Sequence, residues 1–118
     1  MKFDHLNIPV ANLARSRDWY ISMLGLKVGF EIPDRRTVAL QDSEGFAFFL
    51  QEAASGAAPN GTALWFQVDD VDATYADWSA RGVAFTHGPQ KNFWGYSAEL
   101  ADPDGYLARL WDERSMRE

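Results

Sequence analysis

The sequence repeats itself once, at a spacing close to half its length. At an offset of 58 residues, Leu6, Ile8, Val10, Leu13 and Tyr20 return as Leu64, Phe66, Val68, Val71 and Trp78. At an offset of 60, the run Asp42-Ser43-Glu44-Gly45-Phe46 returns as Asp102-Pro103-Asp104-Gly105-Tyr106. Two such blocks in the same order carry far more weight than either alone. A period of this length implies two copies of one supersecondary unit, and that excludes most folds open to a chain of this size.

Each copy reads the same way. Residues 3–10 alternate, with Leu6, Ile8 and Val10 on one face and Phe3, His5 and Asn7 on the other, which predicts a strand. Residues 11–24 carry helical spacing and stop at Gly25, a residue suited to the left-handed conformation past a helix end. Residues 27–30, 36–41 and 46–52 read as short strands, separated by turns at Pro33-Asp34 and at residues 42–45. In the second copy, residues 63–68 form the strand and 71–81 the helix, ended by Gly82, with strands at 83–85, 95–100 and 106–111. The run AASGAAPNG between them is small and flexible in composition. The predicted fold class is α+β, as two tandem βαβββ modules, residues 1–53 and 62–118, joined by a connector at 54–61 into a single domain of 118 residues.

Composition narrows the function. Eleven basic against 17 acidic side chains leave a net charge of −6, the wrong sign for a nucleic-acid surface. The absence of cysteine excludes disulfides, a thiol nucleophile and thiolate metal sites. No apolar run is long enough for a membrane span, and no signal-peptide pattern follows Met1, so a cytoplasmic protein is expected. There is no phosphate-cradling glycine loop, dinucleotide fingerprint or Ser-His-Asp order. Aromatic residues reach 14%, with five Trp, more than a small core requires and consistent with a site for flat ligands.

A βαβββ unit covers one sheet face with its helix and leaves the other open. Alternation puts Leu6, Ile8, Val10, Leu64, Phe66 and Val68 against the helices. The opposite face receives His5, Asn7, Ala63, Trp65 and Gln67 from the first strands. From the last strands it receives Ala47, Phe49, Gln51, Leu107, Arg109 and Trp111. Two units side by side would curl into an open barrel whose concave faces make a cleft.

The segments DHLNIPV, NLARSRDWYISMLGLKV, GTALWFQVDDVDATYADWSARGV and FWGYSAELADPDGYLARLWDE together resemble the vicinal oxygen chelate superfamily, which groups glyoxalases, extradiol dioxygenases and bleomycin-resistance proteins. The resemblance spans essentially the whole chain and implies paired βαβββ modules and a homodimer. Metal-using members place ligands at positions that correspond here to His5, Phe49, Ala63 and Arg109, of which only His5 offers a donor. The resemblance is therefore closest to the metal-free, bleomycin-resistance-like branch, which implies no metal and no cofactor.

The expected function is metal-independent binding of a small, flat organic molecule in a dimeric cleft, with antibiotic or toxin sequestration as one form of it. The expected ligand-binding residues are His5, Asn7, Phe49, Gln51, Trp65, Gln67, Trp94, Arg109 and Trp111. The alternative is a lyase, isomerase or dioxygenase-type enzyme with His5 as base or metal ligand. His5 alternatively packs as an inherited core histidine, and the cleft aromatics alternatively fill the barrel. Arg109 must find an anion or stay solvated, the anion being a ligand carboxylate or phosphate, or Glu99 on a neighbouring strand. His87, in the turn-like THGP segment, receives no role, and Asp102 and Asp104 read as turn formers.

Overall fold

A computed structural model describes residues 1–53, 62–92 and 95–116. The connector at 54–61 and Trp94 lie outside the described residues. The chain divides into two compact units, Met1–Ala58 and Pro59–Glu118.

In the first unit the order is β1 (Leu6–Val10), α1 (Leu13–Leu24), β2 (Lys27–Ile32), a 3-10 turn at Pro33–Arg35, β3 (Thr37–Gln41) and β4 (Ala47–Glu52). In the second it is β5 (Ala63–Gln67), α2 (Val71–Ala80), β6 (His87–Asn92), β7 (Gly95–Ala101), β8 (Leu107–Trp111) and a final turn of helix α3 (Glu113–Met116). The sheets have the orders β1-β4-β3-β2 and β5-β8-β7-β6. In each, the first strand runs parallel to the last, and the other pairings are antiparallel. The repeat is thus real at the level of topology: two βαβββ modules, each an open mixed sheet. Among the described residues, no helix is long and apolar enough to cross a membrane.

Alternation decides what each sheet buries. In the first unit, Ile8, Leu50 and Val38 lie side by side, and Phe48 pairs with Leu40; all are buried. Tyr20 of α1 meets Phe48 edge-on, with ring centroids 5.3 Å apart, so the helix covers this face. In the second unit the buried row is Leu110 with Ala98 and Ala108 with Leu100.

The repeated residues hold their modules together in the same way. Asn12 and Asp70 cap α1 and α2, each side-chain oxygen accepting from the backbone N–H three residues on. The first N–H of each helix, on Leu13 and Val71, is taken by an acid at the end of the last strand: Glu52 Oε2, from the final residue of β4, at 3.0 Å and Asp112 Oδ2, from the residue just past β8, at 2.6 Å. Asp42 and Asp102 each accept two backbone N–H bonds across the turn before the last strand. Gly45 and Gly105 close those turns at φ 87° and 90°, where a side chain would be strained.

Two sequence expectations need correction. Residues 83–85 are not a strand. Phe85 instead packs its ring on Tyr75 and Trp78 of α2, at 4.7 and 6.4 Å, and Val83 N–H bonds the Trp78 carbonyl at 3.0 Å. The strand is β6, which contains Gly88 and Pro89, residues that read as a turn. Pro89 is tolerated because β6 is the edge of its sheet and its pairing with β7 is irregular between His87 and Gln90.

Candidate functional site

Each module presents one sheet face turned away from its helix, and the expected site residues of the first strands and last strands fall on those faces. In the first module, one row across the strands runs Asn7, Phe49, Ala39 and Phe30. Ala39, buried and small, lets the rings of Phe30 and Phe49 meet edge-on at 5.5 Å. The His5 imidazole stacks on Phe49 at 3.8 Å, nearly parallel, and its Nδ1 lies 2.7 Å from Asp4 Oδ2. Asn7 donates to Gln51 at 3.0 Å. This face is aromatic, with a polar margin.

The corresponding row of the second module has a different chemistry: Trp65, Arg109, Glu99 and His87. Trp65 is 41% exposed, and the Arg109 guanidinium carbon sits 5.3 Å from its ring centroid, a cation–π contact. Arg109 Nε donates to Glu99 Oε2 at 2.8 Å. The Thr86 hydroxyl reaches Glu99 Oε1 at 2.7 Å, while His87 Nε2 is 3.9 Å from Oε2 and its Nδ1 lies 2.8 Å from the Gly88 carbonyl oxygen. Burial of the Glu99 carboxylate pushes its pKa up, but the bonds from Thr86 and Arg109 outweigh it and hold the group below the ordinary carboxylate range. One row further along, Gln67 pairs with Trp111.

The structure thus gathers His5, Asn7, Phe49 and Gln51 on one face, and Trp65, Gln67, Arg109 and Trp111 on the other. Of the two anions open to Arg109, Glu99 is in contact. Thr86 and His87 are additions the sequence did not supply. The sequence offered Glu99 as one of the anions for Arg109, but the glycine and proline of THGP hid the strand that carries His87.

The four positions where a metal is implied do not fit one. Phe49 and Ala63 have no donor atom, Arg109 is a cation already paired, and His5 has its Nδ1 against Asp4. Among the described residues, no group of three or more His, Asp or Glu side chains is placed to hold a metal ion.

The family model described as the Glyoxalase/Bleomycin resistance protein/Dioxygenase superfamily matches residues 2–110. Among solved structures, a possible glyoxalase from Bacillus cereus is 19% identical with a TM-score of 0.74, over 93% of this chain and 97% of that one. An integron cassette protein from the mobile metagenome of the Halifax Harbour sewage outfall is 24% identical with a TM-score of 0.77, over 92% and 96%. A glyoxalase/bleomycin resistance protein/dioxygenase from Nocardioides is 17% identical with a TM-score of 0.77, over 95% and 83%. At these identities the likeness is one of fold. A search of curated proteins finds no sequence match. With the family model running over nearly the whole chain and both modules built to one plan, the chain belongs to the glyoxalase/bleomycin resistance protein/dioxygenase superfamily.

Proposed function

We propose that this protein binds a small, flat organic molecule without a metal, as a homodimer, in the manner of a sequestering protein rather than a metal-assisted enzyme. The observation that carries the reading is Trp65. A large apolar ring is left 41% exposed on a sheet face, yet one side is held by Arg109, itself tethered to Glu99. A rigid, partly exposed indole is a stacking platform whose ordering cost is met before the ligand arrives.

Screening planar compounds by thermal shift finds the ligand class, since whatever binds the native state alone stabilises it. Tryptophan fluorescence then reads binding directly. Trp65→Ala is expected to weaken a stacked ligand by about 0.5–1.5 kcal/mol, roughly two- to tenfold, and to remove most of the fluorescence change. Unchanged affinity and an unchanged signal in that variant would place the ligand elsewhere.

The homodimer is supported by apolar side chains left open in a single chain, among them Phe3, Phe30, Ile32 and Phe46. Native mass spectrometry tests this and the metal reading together. The expected species has twice the chain mass and no bound divalent ion. A monomer at all concentrations would remove the dimer, and a stoichiometric zinc, manganese or iron would remove metal independence.

One contact favours a second reading. With Asp4 accepting from Nδ1–H, His5 presents Nε2 as a lone pair, the arrangement of a general base. Under that reading the protein is an isomerase- or lyase-type enzyme, and turnover of a bound ligand that stops in His5→Ala would establish it.

A further inference from the structure

The row Trp65–Arg109–Glu99 has an unequal supply of hydrogen-bonding groups. Both Glu99 oxygens are engaged, Oε1 by the Thr86 hydroxyl and Oε2 by Arg109 Nε. A guanidinium has five N–H donors, and Arg109 uses the one on Nε; its two terminal nitrogens meet no acceptor among the described residues. The spare capacity of the Arg109–Glu99 pair is therefore donor capacity, on the terminal nitrogens of Arg109.

That cation is also fixed in orientation. The indole of Trp65 lies against the guanidinium and Glu99 pins its Nε, so the end bearing the two terminal nitrogens cannot turn toward Glu99 without breaking a 2.8 Å bond. A guanidinium fork held in place matches two oxygens of one carboxylate or phosphate. The exposed part of Trp65 lies beside it as an apolar shelf.

We propose that the ligand of this face is a planar molecule carrying an oxyanion, with the carboxylate or phosphate on the terminal nitrogens of Arg109 and the flat body against Trp65. This rests on the ligand-binding reading above and extends it by fixing the ligand's charge. The net charge of −6 runs against an anion at long range, so recognition is local and comes from the fork. A cationic ligand finds Glu99 with both oxygens already engaged.

The test uses four probes of one shape: naphthoate, naphthyl phosphate, naphthamide and naphthylmethylammonium, titrated into the purified full chain with tryptophan fluorescence and calorimetry. Naphthoate or naphthyl phosphate is expected to bind at least about tenfold tighter than the amide and the ammonium, and whichever oxyanion is tighter names the head group. Arg109→Gln should erase the preference, so that naphthoate and naphthyl phosphate bind that variant no tighter than naphthamide does. Arg109→Lys keeps the charge but lacks the fork, so it should keep only part of the preference; it also serves where Arg109→Gln does not fold. Naphthamide binding as tightly as both oxyanions, a preference for the ammonium, or an oxyanion preference undiminished in both Arg109 variants overturns the charge assignment and leaves planar-ligand binding standing. Failure of all four probes to bind overturns both.

Discussion

Replacing Asp112 by alanine is expected to lower the unfolding free energy by about 2–6 kcal/mol, measured by urea denaturation at neutral pH. Asp112 is fully buried and accepts from Val71 N–H at 2.6 Å and Ser115 N–H at 2.7 Å, joining the end of β8 to the starts of α2 and α3. Alanine leaves both donors without a partner where water has little access, at about 1–3 kcal/mol each. Glu52 holds Leu13 in the same way in the first module, but its side chain is 24% exposed, so water can replace it. Glu52→Ala should therefore cost clearly less than Asp112→Ala. Equal losses at the two sites would mean that burial is not what sets them apart.

The same site makes a pH prediction. Burial alone would raise the Asp112 pKa, but the bonds from Ser115 and Val71 prevail and lower it. A carboxyl whose folded pKa lies below its unfolded value contributes stability that is complete above the unfolded pKa, about 3.9 for an aspartate. That contribution is lost as the pH falls toward and through the folded value. Glu52 and Glu99, also lowered, act with the same sign. Asp112→Asn keeps one acceptor but does not titrate. Its deficit relative to the parent chain should shrink between pH 7 and roughly pH 3. A deficit that grows in acid would reverse the assigned direction.

Tyr20→Ala is expected to cost about 3–5 kcal/mol, the range for deleting a fully buried aromatic ring. Tyr20 has no exposed surface and meets Trp19 and Phe48 edge-on at 4.9 and 5.3 Å, so it joins α1 to the sheet. The repeat places Trp78 at the same point of the second module. Trp78 is a larger residue, yet it is only partly buried, packed on Phe85 at 6.4 Å with Arg81 over its ring. Trp78→Ala should thus be the milder of the two despite removing more atoms. Tyr20→Phe, which keeps the ring, should stay within about 1.5 kcal/mol of the parent chain. A loss in Tyr20→Phe as large as in Tyr20→Ala would assign the effect to the hydroxyl instead of to packing.

What the sequence determined on its own is the modular plan and the side of each strand a residue occupies. The repeat pairs Leu6 with Leu64 and Asp42 with Asp102, and period-two alternation puts Trp65 opposite Leu64; both are properties of the local chain that tertiary contacts did not override. Gly25 and Gly82 ended their helices for the same local reason, since their backbones enter the left-handed region at φ 74° and 94°. Tertiary structure decided the rest. Strand β6 forms through His87-Gly88-Pro89 because an edge position excuses a proline that the local pattern reads as a turn, while Phe85 leaves the strand to fill the gap beside Tyr75 and Trp78. The contacts of Asp112 with Val71, 41 residues away, and of Arg109 with Glu99 depend on which strands become neighbours and in what register. No spacing along the chain encodes that choice, because burial and pairing of whole strands set it.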